Sequence, residues 1–383
     1  MTIVFLISME RTGIADLPLH PGRAPRWLFE RMVKLAREIF KVIIYEYDSK
    51  EVLRRISDPF WFQALSCVLG FDWHSSGCTT VTCGALKEAL DPNEFEIAIA
   101  GGKGKTSLKT PEEINEIGTN FFNFSTNKIS KLTYASKMVA KVDNAALQDG
   151  YQLYHHMFIF SKDGEWAVIQ QGMNPTKCYA RRYHWLSEKL DNFVVEPHVS
   201  ILCDSRENNV LDMTSRISIE TQKVSLDLVN DDIVHLKNDW TKLLNLNQKT
   251  LDRWISNGDN KEGTYSIEYL HMPRNINWGL MKKIYELQPR NYEELLSIRG
   301  VGPSTVRALA LISDLIYGAK PSWKDPVKYS FAVGGKDGVP YPVDRKAMDE
   351  ATKFLQMSLE EAVLGKKEKF LALKRLRSLI PND

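Results

Sequence analysis

Residues 151–171 read YQLYHHMFIFSKDGEWAVIQQ. On both sides of the Asp163-Gly164 step, aromatic and β-branched residues are frequent, which favours strands over helices. An Asp-Gly pair between two such runs is a strong signal for a tight hairpin turn. The stretch therefore predicts two strands of an antiparallel sheet, at 151–160 and 165–171.

Further elements are predicted on either side of this hairpin. Strands are expected at 95–100 (FEIAIA) and 199–203, and a short one at 43–44. Helical spacing of apolar residues predicts helices at 27–39, 61–69 and 83–90, with a loop at 75–80 before the third. From 277 onward nearly every segment has helical spacing.

The pattern as a whole predicts an α+β fold with two domains. A chain of 383 residues, with 43% apolar and 26% charged residues, is globular in composition and longer than one core usually organises. We expect a mixed α/β domain at 1–255 and an all-α domain at 270–383, with the boundary near 255–275.

Charge is distributed unevenly between these parts. Residues 271–383 hold 19 Lys and Arg against 13 Asp and Glu, a net +6, which leaves −4 for residues 1–270. A basic segment is the electrostatic footprint of a protein that binds phosphate groups. The basic end of the chain is therefore the expected nucleic-acid-binding end.

The start of the chain and the cysteines indicate where the protein works. The apolar run at 3–7 is short and lacks a basic region before it, so no signal peptide or membrane span is predicted and the expected location is the cytoplasm. The five cysteines contain no CxxC pair, which argues against a disulfide framework or a zinc ribbon. They are Cys67, Cys78, Cys83, Cys178 and Cys203.

The most informative motif lies at 292–312, YEELLSIRGVGPSTVRALALI. An amphipathic helix ends at Arg299, a Gly-Val-Gly turn follows, and a second helix opens at Pro303 or Ser304. This arrangement predicts a helix-hairpin-helix element, although a Gly-rich helical hairpin without a ligand is the alternative.

Each residue type in this hairpin has a mechanical reason. Glycines allow a tight turn and a close approach of phosphate to the backbone, proline suits the first helical turn, and the free N–H groups there attract an anion. Val301 is expected to plug the hairpin into the apolar side of the helices. The predicted DNA-binding residues are Arg299, Gly300, Val301, Gly302, Pro303, Ser304, Thr305 and Arg307.

A second glycine-rich segment, GGKGKTS at 101–107, follows a predicted strand. It is not a P-loop, because Ile99 stands where the first glycine of that motif is required. A Gly- and Lys-rich turn can still contact phosphate, so Lys103 and Lys105 are candidate DNA-backbone ligands, with a solvated basic turn as the alternative.

Reactive side chains are frequent around the predicted β-hairpin, between 136 and 185. Carboxylates that hold a divalent metal, with His or Lys for proton transfer and charge, are what phosphodiester cleavage needs. We expect Mg²⁺ or Mn²⁺ as the cofactor. The candidate metal ligands are Asp143, Asp149 and Glu165, and the candidate catalytic residues are these three with Lys141 and His155.

Four motifs spread over the chain resemble those of an uncharacterised prokaryotic family, domain of unknown function 763, which is common in archaea and thermophilic bacteria. They are RTGIADLPLHPG at 11–22, HSSGCTTV at 74–81, GGKGKTS at 101–107 and GGKDGVPYPVDRKAMD at 334–349. The resemblance covers nearly the whole chain and implies an architecture without implying a reaction.

A partial resemblance, over 276–355, is to helix-hairpin-helix DNA glycosylases. In those enzymes a Val-Asp pair after the hairpin opens another helix, and the Asp stabilises charge at the damaged sugar. Asp344, after Val343, is the matching position, although the intervening segment is longer here. A helix cap explains Asp344 equally well.

These features together predict a DNA-processing or repair enzyme that acts on duplex, branched or damaged DNA without strong sequence specificity. Metal-dependent nuclease activity is the leading expectation. Base excision through Asp344 and a non-enzymatic DNA-binding accessory role are the alternatives.

Overall fold

The computed structural model describes residues 24–70, 77–177, 179–203, 206–256, 273 and 275–328, and five positions of a later helix. Side chains in the last turns of the helix that ends at 256 are described only as far as Leu244. The five later positions are Asp349, Thr352, Lys353, Leu355 and Met357.

Helices and strands alternate in blocks along the described chain. The helices are α1 (Arg26–Glu46), α2 (Ser49–Ser57), α3 (Pro59–Val68), α4 (Gly77–Ala89), α5 (Pro92–Phe95), α6 (Thr110–Asn120), α7 (Thr126–Lys141), α8 (Ile219–Asn230), α9 (Ile233–Ser256), α10 (Trp278–Leu287), α11 (Tyr292–Ser297) and α12 (Pro303–Leu315). The strands are β1 (Ile97–Lys103), β2 (Leu147–Gln148), β3 (Gln152–Ser161), β4 (Trp166–Asn174), β5 (Tyr179–Leu186), β6 (Ser200–Leu202), β7 (Asn208–Asp212) and β8 (Ser322–Lys324).

The centre of the fold is a five-stranded antiparallel sheet in the order β1-β3-β4-β5-β6. The predicted hairpin is its core: β3 and β4 pair across a turn in which Ser161 N–H donates to Glu165 O at 2.9 Å. A smaller sheet pairs β2, β7 and β8. Helices and antiparallel sheets confirm the α+β class.

The five-stranded sheet is buried on both faces, and alternate side chains of each strand belong to different cores. Ile159 of β3 packs with the helices α1–α4, whereas its neighbours Phe158 and Phe160 pack with α7 and the later helices. Two layers of helices therefore sandwich the sheet.

Local signals set several helix ends. Asp58 caps α3 by accepting the N–H groups of Phe60 and Trp61 at 2.8 and 2.9 Å, and Pro59 occupies the first helical position. The short strand predicted at 43–44 was wrong, because those residues continue α1.

Two further predictions need correction. The loop expected at 75–80 is already helical from Gly77, where α4 begins. The segment after residue 270 is not entirely helical, because β8 pairs with β7 of the smaller sheet. β8 forms because β7, from the earlier part of the chain, offers a free strand edge with which it can pair.

The helices after residue 277 share a core with the sheet. Val301, Leu309 and Ile312 belong to the same buried cluster as Phe158 and Val168 of β3 and β4. Within the described residues the core thus continues across the predicted boundary at 255–275, and the division into two domains stays a prediction.

Candidate functional site

A tight turn joins α11 and α12, which end at Ser297 and begin at Pro303; the first helix thus ends two residues before the predicted Arg299. Val301 N–H donates to Ile298 O at 3.1 Å and closes a four-residue turn. Gly300, the third residue of that turn, has φ +102°, a conformation that favours glycine there. Val301 is only 1% exposed and packs among the helices, as expected of the plug.

The open end of α12 lies directly after this turn. Val306 N–H bonds back to Gly302 O at 3.0 Å, and no side chain caps the helix. The first-turn N–H groups of Ser304 and Thr305 therefore precede the intrahelical ladder, at the positive end of the helix dipole.

Gly302 acts differently from the prediction. Gly302 has φ −136°, so it needs no glycine torsion; its missing side chain instead leaves open space, since a Cβ there would have only Gly300 O near it, at 3.9 Å. Thr305 is buried at 8% exposure and Ser304 is exposed, so of the two hydroxyls that of Ser304 is the more accessible to a phosphate.

Three cations surround the hairpin. Arg299 is exposed, and Lys141 at the end of α7 lies with Nζ 3.5 Å from Ile298 O. Arg307, half-buried, lies on the first turns of α12. Burial lowers the pKa of Lys141 and of Arg307. Lys141, a predicted catalytic residue, is thus placed at the hairpin.

Gln148 fastens the hairpin to the rest of the fold. Its amide N–H donates to Pro303 O at 2.9 Å and to Ala145 O at 3.0 Å, and its Oε1 accepts from Arg307 Nε at 2.7 Å. Sequence reasoning missed Gln148, because a two-residue strand carries no periodic signal.

The segment next to Gln148 is a π-helical turn, Val142–Ala146, which directs Asp143 inward. Such turns are frequent at functional sites. The Asp143 carboxylate accepts hydrogen bonds from Gln170 Nε2, from Trp185 Nε1 at 3.0 Å, and from His198 Nε2. These three donors occupy three of the roughly four lone-pair positions of a carboxylate.

The histidine linked to Asp143 through the sheet is His156. Its Nδ1 bonds Gln170 Oε1 at 2.7 Å and its Nε2 bonds Ser136 Oγ at 2.9 Å. Burial lowers the pKa of His156, so the neutral ring donates from Nδ1 and accepts from Ser136. His155, the predicted catalytic histidine, lies on the opposite face of the sheet, because neighbouring residues of a strand point apart.

Asp149 forms a buried ion-pair cluster with Arg181. The guanidinium donates to Asp149 Oδ2 at 2.9 Å and to both oxygens of Asp325, at 3.1 and 2.7 Å. Tyr183 also donates to Asp149, at 2.7 Å. Asp325 and His198 were not predicted as site residues, since both stand in irregular segments without a motif.

The predicted metal ligands form a row instead of a cluster. Asp149 bonds Tyr183, whereas Glu165 accepts from Ser187 Oγ at 2.7 Å. Tyr183 and Ser187 are four positions apart along β5 and its end, which corresponds to roughly 13 Å of extended chain. Among the described residues no group of three or more His, Cys, Asp or Glu could hold a metal ion, so the divalent metal stays a prediction.

The remaining predicted residues lie elsewhere. Lys103 ends the edge strand β1 and Lys105 lies in the 3-10 turn that follows it; both are exposed. The Nζ of Lys103 lies 5.9 Å from the centre of the Tyr154 ring. Their contact with phosphate stays a prediction. Asp344 lies outside the described residues, so its two predicted roles, as a helix cap and as a catalytic residue, both stay predictions.

The comparisons with known proteins identify a family. Residues 13–343 match the model of a family described as a protein of unknown function (DUF763). The chain therefore belongs to this family, as its four motifs predicted. No curated protein matches the chain, and no solved structure matches it.

Within the described residues, none of the helices combines the length and apolar composition that crossing a membrane requires.

Proposed function

We propose that this protein binds the phosphate backbone of DNA through the hairpin at 298–303. The observation that carries the proposal is the uncapped start of α12 directly after the Gly300 turn. Backbone N–H groups at a helix start bind anions without reading sequence, so we expect similar affinity for duplexes of different sequence.

The surroundings of the hairpin support the same function. Arg299 is exposed and Lys141 Nζ has the backbone oxygen of Ile298 as its hydrogen-bond acceptor, so both charges are available to a phosphate. Gln148 holds the turn against the sheet, which lowers the ordering cost of binding. A rigid turn with nearby cations suits a repeating polyanion.

Replacing Gly302 by Asp tests the proposal. A carboxylate at the open turn repels phosphate and blocks its approach, so affinity for all duplexes should fall at least about tenfold. Fluorescence anisotropy with labelled duplexes of unrelated sequence measures the loss. Gly302→Ala is the matched control, because the turn has room for a methyl group. Equal affinity of a folded Gly302→Asp variant and the wild type would refute the proposal.

The salt dependence of binding gives a second prediction. If Lys141, Arg299 and Arg307 each neutralise one phosphate, affinity should fall about 40-fold between 50 and 200 mM salt. Lys141→Gln should reduce the slope of log affinity against log salt by roughly 0.9. A slope near zero would show that these cations do not contact phosphate.

We also propose two reactions that the bound DNA could undergo: metal-dependent cleavage of the backbone, or excision of a base. Incubation with nicked, branched and damaged DNA, with and without Mg²⁺ or Mn²⁺, separates both from binding alone. Cleavage that depends on metal, and is lost in Asp143→Asn, would support the nuclease; release of a base that is lost in Asp344→Asn would support excision.

A further inference from the structure

The sheet face that packs against α1–α4 carries a layer of buried polar side chains. Cross-strand pairs place His155 opposite Gln171, Gln171 opposite Arg182, and His184 opposite Ser200. Residues paired in this way project from the same face. We call these five residues the polar layer; each is at most 1% exposed.

The polar layer is where unsatisfied hydrogen-bonding groups concentrate. Among the described residues, twelve buried side-chain N or O atoms have no hydrogen bond of ordinary geometry, and eight of them belong to these five residues. Native proteins satisfy nearly all buried polar groups, and clusters of exceptions indicate an absent water, ion or ligand. This layer is therefore where the described fold has most need of a further hydrogen-bonding group, either water or a ligand.

Arg182 is the charged member of the layer. One guanidinium nitrogen donates to Gln63 Oε1 at 3.1 Å and Thr79 Oγ1 at 3.4 Å, and the group lies 4.8 Å from the centre of the Phe62 ring. Nε and the other terminal nitrogen lack partners. Burial lowers the pKa of Arg182 to about 10, so it remains charged at neutral pH.

No described carboxylate forms an ion pair with this guanidinium, whereas its neighbour Arg181 has two. An uncompensated charge in a protein interior is strongly unfavourable. The nearby thiol of Cys83 does not supply an anion, because burial raises its pKa far above neutrality. Arg182 therefore has no carboxylate partner among the described residues, and an anion beside it would stabilise its buried charge.

A second feature converges on the same place. Thr79 belongs to the first turn of α4, a helix of 13 residues whose first turn carries no acidic side chain. The positive end of this helix dipole therefore lies near the Arg182 side chain, and both favour an anion. Burial lowers the pKa of His155 to about 3 and that of His184 well below its usual range, so both rings are neutral. The ring of His155 keeps an N–H to offer, whereas the ring of His184 has the backbone of Ile56 and Ser57 as its neighbours.

We propose that the polar layer binds a small oxyanion of the phosphate class, held by the unpartnered nitrogens of Arg182 at the start of α4. The guanidinium fork matches the geometry of such oxyanions, and the negative charge of the anion compensates the charge of Arg182. The anion is either free phosphate or the phosphate group of a nucleotide.

Anion content of the purified full-length protein tests this proposal. Protein prepared in phosphate-free buffers is denatured, and the released anions are separated by ion chromatography and, for nucleotides, by absorbance. We expect close to one phosphate group per chain from the wild type, none from Arg182→Gln, and an unchanged amount from Arg216→Gln, in which an exposed arginine is lost.

Thermal unfolding gives an independent readout. After exchange into chloride, added inorganic phosphate or nucleoside monophosphate should raise the Tm of the wild type by about 2–4 °C or more, and leave Arg182→Gln unchanged. The proposal would be overturned if the wild-type protein released no anion and its Tm did not rise on addition of phosphate, whether or not the variant folds. Gly302→Asp should retain the anion, which separates this site from DNA binding.

Discussion

Asp149→Ala is expected to lower the free energy of unfolding by about 3–5 kcal/mol, because it breaks a buried ion pair by removing one partner. Arg181 is fully buried and would keep only Asp325. The hydroxyl of Tyr183 would also lose its acceptor. Urea denaturation followed by circular dichroism measures the change.

An exposed ion pair provides the control for this prediction. Glu220 and Lys223 on α8 are 3.4 Å apart and each is 66% exposed. Glu220→Gln should change the free energy of unfolding by less than about 1 kcal/mol, because solvent screens the pair. Equal losses in the two variants would mean that burial adds nothing to the Arg181 cluster.

Gly101→Ala is expected to have the second largest effect, a loss of about 3–5 kcal/mol, since both torsional strain and steric overlap oppose it. Gly101 has φ +91°, and a Cβ there would lie 2.2 Å from His156 O and 2.5 Å from Thr110 Oγ1. Because β1 pairs with β3 at this point, the methyl group must push the edge strand away. Thermal unfolding gives the loss as a lower Tm.

Gly104 lies three residues later and serves as the matched control. It also has a positive φ, +61°, but a Cβ there would have no atom within 4 Å. Gly104→Ala should therefore lose only the torsional part, about 1–2 kcal/mol. If both variants lost the same stability, the close approach at Gly101 would not matter.

The two hairpins were predictable from sequence because their signals are local. Asp163-Gly164 between two runs of strand-forming residues fixed the pairing of β3 and β4. The spacing of Gly300 and Pro303 likewise fixed the turn before α12. In each case a few adjacent residues determine the backbone torsions, so no knowledge of distant contacts is needed.

The buried site could be predicted only in part. Alternation in β3 separates His155 from His156, but it does not tell which face meets Asp143. Asp143 stands on a π-helical turn, where the spacing of 3.6 residues no longer predicts direction. His198 reaches Asp143 from a loop 55 positions away, and no local pattern announces such a contact.

Neighbouring identical residues serve different layers in this sheet: His156 faces the Asp143 network and His155 the polar layer, and Arg181 and Arg182 divide in the same way. Deletion of one residue within β3 or β5 would therefore turn every following side chain of that strand to the opposite face of the sheet. This holds even where the deletion of one histidine or arginine moves its identical neighbour into the same position. In a mutational scan, in-frame deletions in these strands should be far more damaging than substitutions at the same codons. In these strands, tolerance to mutation thus depends more on which face of the sheet each position points to than on which residue stands there.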